Sequence, residues 1–427
     1  MKVLVVGSGG REHALVWCIA KSNKVKKIYC APGNGGTASL AENIPIEADD
    51  ISSLADFAGK EKIDLTVVGP EAPLVAGIAD EFLTRGLNVF GPSANAAMIE
   101  GSKAFAKEVM KSAGIPTAFF NLITNIDELQ ELVQRKNLQK AAVKADGLAA
   151  GKGVFICNSQ QEIMAAGNKI LQEGIFGGAG KRVVVEELLE GEEASILAFC
   201  DGSTVKLMVS SQDHKRALDN DKGPNTGGMG AYSPAPVIAK ELEKRIERDV
   251  MLPAIKELKK RGAPYVGVLY AGLMVSNNQI KVLEFNARFG DPEAQAVLPR
   301  LKTDLVEIML SCINGKLQKQ KIEWSENAAC CVVMASGGYP GNYEKGKEIF
   351  GLDKSAKLHD TIVFHAGTKK IGDKIFSNGG RVLGVTALGK TINESIEKAY
   401  KAVSKISFEK MHFRRDIGGR ALEVKLQ

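Results

Sequence analysis

No uninterrupted apolar run in this sequence approaches the roughly 20 residues needed to cross a bilayer. The opening Met1-Lys-Val-Leu-Val-Val-Gly7 reads directly as a strand. Both features predict a soluble, cytoplasmic chain with no membrane partner. The seven cysteines contain no CxxC, and only five histidines could join them, which argues against structural zinc and a disulfide framework. Thiols scattered in this way are expected as small core residues in a reducing compartment. Internal repeats and low-complexity segments are absent. Strong charge is missing as well, the net value being +6 over 427 residues. The excess is C-terminal, with 17 Lys+Arg against 10 Asp+Glu in residues 328–427. No aromatic-rich strand accompanies it, so a solvated surface is favoured over nucleic-acid binding.

A hydrophobic content of 44% with 25% charged residues is ordinary for a globular protein, and the length suggests roughly three domains. Strand signals at Lys2–Val6, Lys26–Ala31, Leu65–Val68 and Leu87–Phe90 alternate with helical spacing, as at Glu12–Lys21. This predicts an N-terminal doubly wound parallel sheet over residues 1–101, with ligands at the carboxyl ends of its strands. Composition changes at Glu100-Gly-Ser-Lys103, where a second domain is expected over 102–327. From Ala328 onward, strands at 329–335, 362–366 and 382–388 and a helix at 391–406 predict a small α+β domain. The fold class expected overall is α/β and α+β multidomain.

The most informative stretch is Glu284-Phe-Asn-Ala-Arg-Phe-Gly-Asp-Pro-Glu293, which follows the apolar strand Gln279–Leu283. Side chains two apart on a strand share a face, so Glu284, Asn286 and Arg288 are expected to point together. Two oxygen donors suit a divalent cation that takes its other ligands from phosphates, and a guanidinium can clamp a phosphoryl oxygen. Several loops accompany this strand. Gly7-Ser-Gly9-Gly10-Arg-Glu12 opens a helix and could hold a phosphate or be a plain tight turn, but it lacks the third glycine of a dinucleotide fingerprint. Lys144-Ala-Asp-Gly147-Leu-Ala-Ala-Gly151-Lys152-Gly153 is a glycine-rich hairpin rather than a Walker A loop, and its tip could fold onto phosphates. Glu186-Glu187-Leu188 through Glu193 is an acidic strand-turn suited to ribose hydroxyls and an adenine edge. The long connection containing Asp213 and Asn225-Thr226-Gly227-Gly228 reads as a lid or binding loop. His214 ranks below Asp213 as a functional residue.

The glycine-rich hairpin, acidic strand-turn and Glu-x-Asn-x-Arg strand together resemble an ATP-grasp ligase. Within that superfamily, Gly7-Ser-Gly-Gly-Arg-Glu-His-Ala14, Pro32-Gly-Asn-Gly-Gly-Thr37, Gln212-Asp-His-Lys-Arg216, Asn225–Pro234 and Arg288-Phe-Gly-Asp-Pro-Glu-Ala-Gln295 are similar to the phosphoribosylamine–glycine ligase family. The resemblance implies a central ATP-grasp domain with a mobile lid subdomain at about 120–190. It also implies a monomeric ligase that uses ATP and Mg²⁺ or Mn²⁺ to join glycine to 5-phospho-D-ribosylamine. Lys103, Lys144 and Lys152, with Gly147, Gly151 and Gly153, would hold the ATP phosphates. Glu186, Glu187 and Leu188 would meet adenine, and Glu193 the ribose. Glu284 and Asn286 would bind the metal. Arg288, Lys152 and Asp213 would act in catalysis. Gly9, Gly10 and Glu12 would face the ribosyl phosphate, with Asp213, Asn225, Thr226, Gly227, Gly228, Asp291 and Glu293 around the glycine and the amine. An acidic metal ligand common in the superfamily is missing from the preceding strand, which reads Ala271-Gly-Leu-Met274. Rival readings are another ATP-grasp ligase, or a nicotinamide oxidoreductase built on the first loop.

Overall fold

The structure, a computed structural model, describes residues 1–149 and 153–423. Short β-branched and aliphatic runs at the N-terminus form a parallel five-stranded sheet. Its order is Glu42–Asn43, Lys27–Pro32, Lys2–Gly7, Leu65–Val68, Val89–Phe90. Strand order reverses beside Lys2–Gly7, which places the first glycine-rich loop at the switch point where such sheets bind ligands. Two helices, Ala94–Gly101 and Lys103–Ser112, lead from this sheet into the second region.

There the strands Phe120–Ile123, Val183–Glu186, Ala141–Ala145 and Val154–Cys157 make an antiparallel sheet. Alternation decides its faces. Val143, Ala145, Val183 and Val185 pack against Leu129, Leu132, Ile163 and Ile170 of two covering helices, while Lys144 and Glu186 turn to the other side. A second antiparallel sheet runs Val205–Leu207, Glu192–Asp201, Val266–Ser276, Gln279–Asn286. Its last two strands form the expected hairpin, whose turn residues Asn277 and Asn278 have φ of 50° and 59°, the left-handed pair of a type I′ turn.

That hairpin contains a β-bulge the sequence did not announce. Leu273 pairs with Val282, yet Gly272 pairs with Glu284, leaving Leu283 unopposed. Before the bulge Ile280 and Val282 enter the core, and after it Phe285 and Ala287 do. One extra residue therefore inverts the alternation and sends Glu284 and Asn286 to the open face.

The C-terminal sheet is also larger than expected. Gln212–Asp213 and Gly230–Ser233 join Ala328–Ser336, Arg381–Gly389 and Thr361–His365 in one sheet, and Met411–His412 pairs with Ala328–Ser336. A cut at residue 328 would thus separate hydrogen-bonded strands, and Asp213 stands on this sheet. An additional hairpin, Thr368–Ile371 with Lys374–Ser377, went unread in the sequence. Among the described residues no helix is long and apolar enough to cross a membrane.

Candidate active site

Four groups of opposite charge meet where the sheets face one another. Glu284, turned outward by the bulge, has the ammonium groups of Lys215, Lys144 and Lys103 around it. Burial opposes its charge, but these cations outweigh burial and hold the carboxyl below its ordinary range. Lys103 starts the helix Lys103–Ser112, and its Nζ donates to Gly147 O at 3.1 Å. The root of the glycine hairpin is pinned to the same helix. Asp146 Oδ1 accepts from Ser102 Oγ and Ala104 N–H, both at 2.8 Å, and Arg182 Nη2 lies 2.7 Å from Asp146 Oδ2. Lys144 Nζ is 3.0 Å from Glu186 Oε2. Gly147 is close-packed, because a Cβ there would come within 2.7 Å of Ala179 Cβ, and at Gly153 it would come within 2.6 Å of Ala149 Cβ. Gly151 and Lys152, expected on the hairpin tip, lie outside the described residues.

Glu187 follows at the edge of this sheet. Its Oε1 is 2.7 Å from Lys281 Nζ, and its N–H donates to Phe119 O at 3.0 Å. With that amide engaged, a donor for a planar base falls to Leu188. Glu193 Oε2 lies 2.7 Å from Lys215 Nζ, and this ammonium is the main reason its carboxyl sits below the usual range.

On the opposite wall Asp213 is buried. Burial first, and then the carboxylates of Glu293, Glu193 and Glu284 against the pull of Lys215, push its pKa up to about 7. A carboxyl at that value can take up a proton near neutrality. Glu293 Oε1 accepts from Tyr270 OH at 3.0 Å, and that hydroxyl is 2.8 Å from Ser195 Oγ. Gly227 is held from the C-terminal sheet at both backbone groups. Its N–H donates to Tyr339 OH at 3.0 Å, and its carbonyl accepts from Arg381 Nη1 at 2.7 Å. The same Nη1 donates to Asp291 O at 2.7 Å. Burial works against the Asp291 charge, yet Arg381, Arg11 and Arg288 keep its carboxyl low. Thr226 Oγ1 donates to Lys215 O and accepts from Gly228 N–H, and Asn225 ends the strand Lys222–Asn225 beside them.

Arg288 leaves the strand between two carboxylates of the N-terminal region. Its Nε donates to Glu71 Oε2 and its Nη2 lies against Glu100 Oε1, both at 2.8 Å, while Nη1 donates to Phe289 O at 3.2 Å. Three of its five N–H groups are engaged, so the fork is fixed in place with two donors remaining.

The first loop differs from its sequence expectation. Glu12 is buried, its Oε2 accepts from Gly9 N–H at 2.5 Å, and its Oε1 accepts from Arg11 Nε at 2.5 Å. A carboxylate of the protein thus already occupies the amide that a phosphate would use. Glu12 supports the loop from within instead of facing a substrate. Gly9 lies between Glu12 and Asp291, and Gly10 packs on Gln295 and Ala366. His214 is structural: its Nε2 accepts from Gly418 N–H at 3.1 Å, and burial above all lowers its pKa to about 3.

Glu284 and Asn286 make no hydrogen bond to another described side chain. Among the described residues no group of three or more His, Cys, Asp or Glu could hold a metal. Two hard oxygen donors on one face fit a divalent cation whose other ligands come from phosphate oxygens and water.

Comparison with known families places the chain as a whole. Residues 1–100, 101–294 and 329–420 match the N domain, the ATP-grasp (A) domain and the C domain of phosphoribosylglycinamide synthetase. The chain belongs to the phosphoribosylglycinamide synthetase family. It is 49% identical over 422 residues to the phosphoribosylamine–glycine ligase of Halalkalibacterium halodurans, covering 99% of this chain and 97% of that one. The crystal structure of the phosphoribosylamine–glycine ligase of Thermotoga maritima superposes with a TM-score of 0.86 at 35% identity, covering 98% of this chain and 100% of that chain. The biotin carboxylase domain of the Hydrogenobacter thermophilus 2-oxoglutarate carboxylase shares the fold, with a TM-score of 0.75 at 15% identity over 96% and 91% of the two chains.

Within this family fold, several residues of the site escaped the sequence reading: Lys215, Ser195, Tyr270, Tyr339, Arg381 and Lys107. Lys215 stands in the quoted Gln212–Arg216 run, where the flanking Asp213 and His214 drew notice first. For the other five no local pattern marks them, since their partners are distant in sequence.

Proposed function

We propose that this chain is an ADP-forming carbon–nitrogen ligase of purine biosynthesis that joins glycine to 5-phospho-D-ribosylamine. The observation that carries the reading is full-length family membership at about half identity to phosphoribosylamine–glycine ligases. The cleft around Glu284 supplies what the chemistry requires. A carboxylate is inert toward amines, so a glycine oxygen first attacks the γ-phosphorus of ATP, giving glycyl phosphate and ADP. The ribosylamine nitrogen then attacks the acyl carbon, phosphate leaves, and the nitrogen loses a proton. The enzyme contributes positioning and charge neutralisation.

In this reading Lys103, Lys144 and Lys152 hold the phosphates, Leu188 and Glu187 line the adenine, and Glu193 takes the ribose. Glu284 and Asn286 hold Mg²⁺ or Mn²⁺, which would neutralise charge on the phosphate oxygens. Arg288, fixed by Glu71 and Glu100, turns its two remaining N–H groups to the transferred phosphoryl. Asp213 accepts the proton of the attacking amine. Glu293, Asp291 and the Asn225–Gly228 loop hold glycine and the ribosylamine. The ribosylamine is assigned to the side of the first loop at Gly9 and Gly10, whose Gly9 amide is taken by Glu12 and so does not hold the phosphate. We keep the protein as a cytoplasmic monomer; its seven cysteines are all unpaired and buried, which suits a reducing compartment.

The test is ATP-dependent phosphate release. It is expected only when glycine and phosphoribosylamine are both present. Equal release with another carboxylate or amine would move the chain to a different ATP-grasp reaction.

A further inference from the structure

Two ammonium groups share Glu186. Its Oε2 lies 3.0 Å from Lys144 Nζ and 3.0 Å from Lys107 Nζ, and all three side chains are buried, Lys107 to 1% exposure. Lys107 stands one helical turn after Lys103, so both project from one face of the helix. Lys103 reaches the carbonyl of Gly147, and Lys107 reaches the base of the same sheet. The Lys107 ammonium has a second partner, donating to Thr117 Oγ1 at 2.7 Å, and that hydroxyl donates to Val282 O at 2.7 Å. Val282 N–H also donates to Pro116 O at 2.7 Å. Val282 is the last residue before the bulge that turns Glu284 into the cleft. A continuous path, Lys144–Glu186–Lys107–Thr117–Val282, therefore links the strand carrying a phosphate-binding lysine to the strand carrying the metal carboxylate.

We propose that Lys107 is a positioning residue for ATP: by holding Glu186 and Thr117 together, it sets where Lys144 stands relative to Glu284. The inference rests on the ATP-site reading above and goes beyond it. One carboxylate between two ammonium groups leaves positive charge uncompensated, so Lys144 keeps attraction for a phosphate while staying aimed. Without Lys107 the buried Glu186 has Lys144 as its one close cation. That pair tightens, and Lys144 is drawn away from the nucleotide. A carboxylate so engaged is also unavailable to the exocyclic amine of adenine, which leaves base recognition to the Glu187–Leu188 backbone.

The test uses Lys107→Met, Thr117→Val and Thr117→Ser in the full chain, with MgADP binding followed by calorimetry and KM measured for ATP and for glycine. Lys107→Met is expected to weaken MgADP and raise the ATP KM about tenfold, the scale of one lost charge-assisted hydrogen bond, with the glycine KM near wild type. Thr117→Val should move the same quantities less, and Thr117→Ser should behave as wild type. Wild-type affinity for MgADP in Lys107→Met overturns the proposal, and so does an equal rise in both KM values. If Lys107→Met does not fold, the threonine pair decides, and equal ATP KM values for Thr117→Val and Thr117→Ser overturn it. A wild-type chain that fails to bind MgADP overturns the ATP-site reading itself, and this inference with it.

Discussion

The first glycine-rich loop and the cleft wall at Glu284 each join a carboxylate to nearby cations, yet they answer their charges differently. In the loop, Glu12 is enclosed and both of its oxygens are engaged by Gly9 and Arg11. In the cleft, Glu284 is surrounded by three lysines at longer range and makes no hydrogen bond to them. Internal satisfaction marks a structural element, whereas a carboxylate left without a direct partner, among lysines that are themselves tied to Glu186, Glu193 and Gly147, marks a place prepared for a ligand. What separates the two regions is whether the carboxylate finds a direct partner within the protein.

The largest expected effect breaks this contrast directly. Glu284→Ala should lower turnover by on the order of a thousandfold, since a metal-held phosphoryl group loses its carboxylate anchor. Its thermal unfolding should change far less than its turnover, because the side chain forms no hydrogen bond and the loss is that of one neutralising charge among Lys103, Lys144 and Lys215. Glu12→Gln should do the reverse, costing about 3 kcal/mol of stability by leaving Arg11 and the Gly9 amide poorly matched in a buried site. Its metal dependence should match wild type. Denaturant unfolding and metal-titrated turnover of the two variants check the pair. A Glu12→Gln variant with full stability and impaired phosphoribosylamine use would return Glu12 to the substrate.

Asp213 gives the next effect. Its carboxyl is pushed up to about 7 from an ordinary 3.8 by burial and by neighbouring carboxylates, so kcat/KM should rise with pH through about 7 as it becomes a base. Asp213→Asn should remove that inflection along with most of the rate. The stability sign is opposite to that of an ion-paired carboxylate. The folded protein keeps this proton up to about pH 7, while the unfolded chain releases it near 3.8, so this group's contribution falls as pH rises between those values. Unfolding midpoints of Asp213→Asn should accordingly decline less than wild type from pH 5 to 7. A parallel decline in both proteins would show that Asp213 ionises normally.

Much of this was legible in the chain. Leu65–Val68 emerged with the boundaries expected, and Ser276-Asn-Asn278 closed the hairpin expected of it. Both signals are local, resting on apolar runs and on asparagine's tolerance of positive φ. The sequence marks Glu284 and Asn286 as a pair of oxygen donors, but the reason they face the cleft is a bulge at Leu283. Simple alternation would have placed them beside Ile280 and Val282, in the core. The fit of Glu12 to its own loop was hidden because a side chain one turn into a helix can reach a ligand or its own N-terminus equally well. Lys107 was illegible because its partners, Thr117 and Glu186, come together only when the sheet containing Val183–Glu186 packs beside the helix Lys103–Ser112. Arg381 and Tyr339 were missed for a related reason, since the strands at 212–213 and 230–233 pair into the C-terminal sheet and draw that region into the site.

That last contact supplies the smallest effect and the sharpest version of the comparison. The loop at Gly227 resembles the first loop in composition but not in how it is held, because its N–H and carbonyl are satisfied by Tyr339 and Arg381 from another region rather than by its own residues. Tyr339→Phe deletes one neutral hydrogen bond worth about 1 kcal/mol at a part-exposed position where water can substitute. The loop should loosen without the fold changing. A rise of a few-fold in KM for glycine or for phosphoribosylamine is expected, with the ATP KM and kcat close to wild type, because the lysines proposed to meet the nucleotide lie on the opposite wall. Steady-state kinetics with each substrate varied in turn measures this. A change confined to ATP would detach the Gly227 loop from the acceptor side of the cleft and place it with the nucleotide.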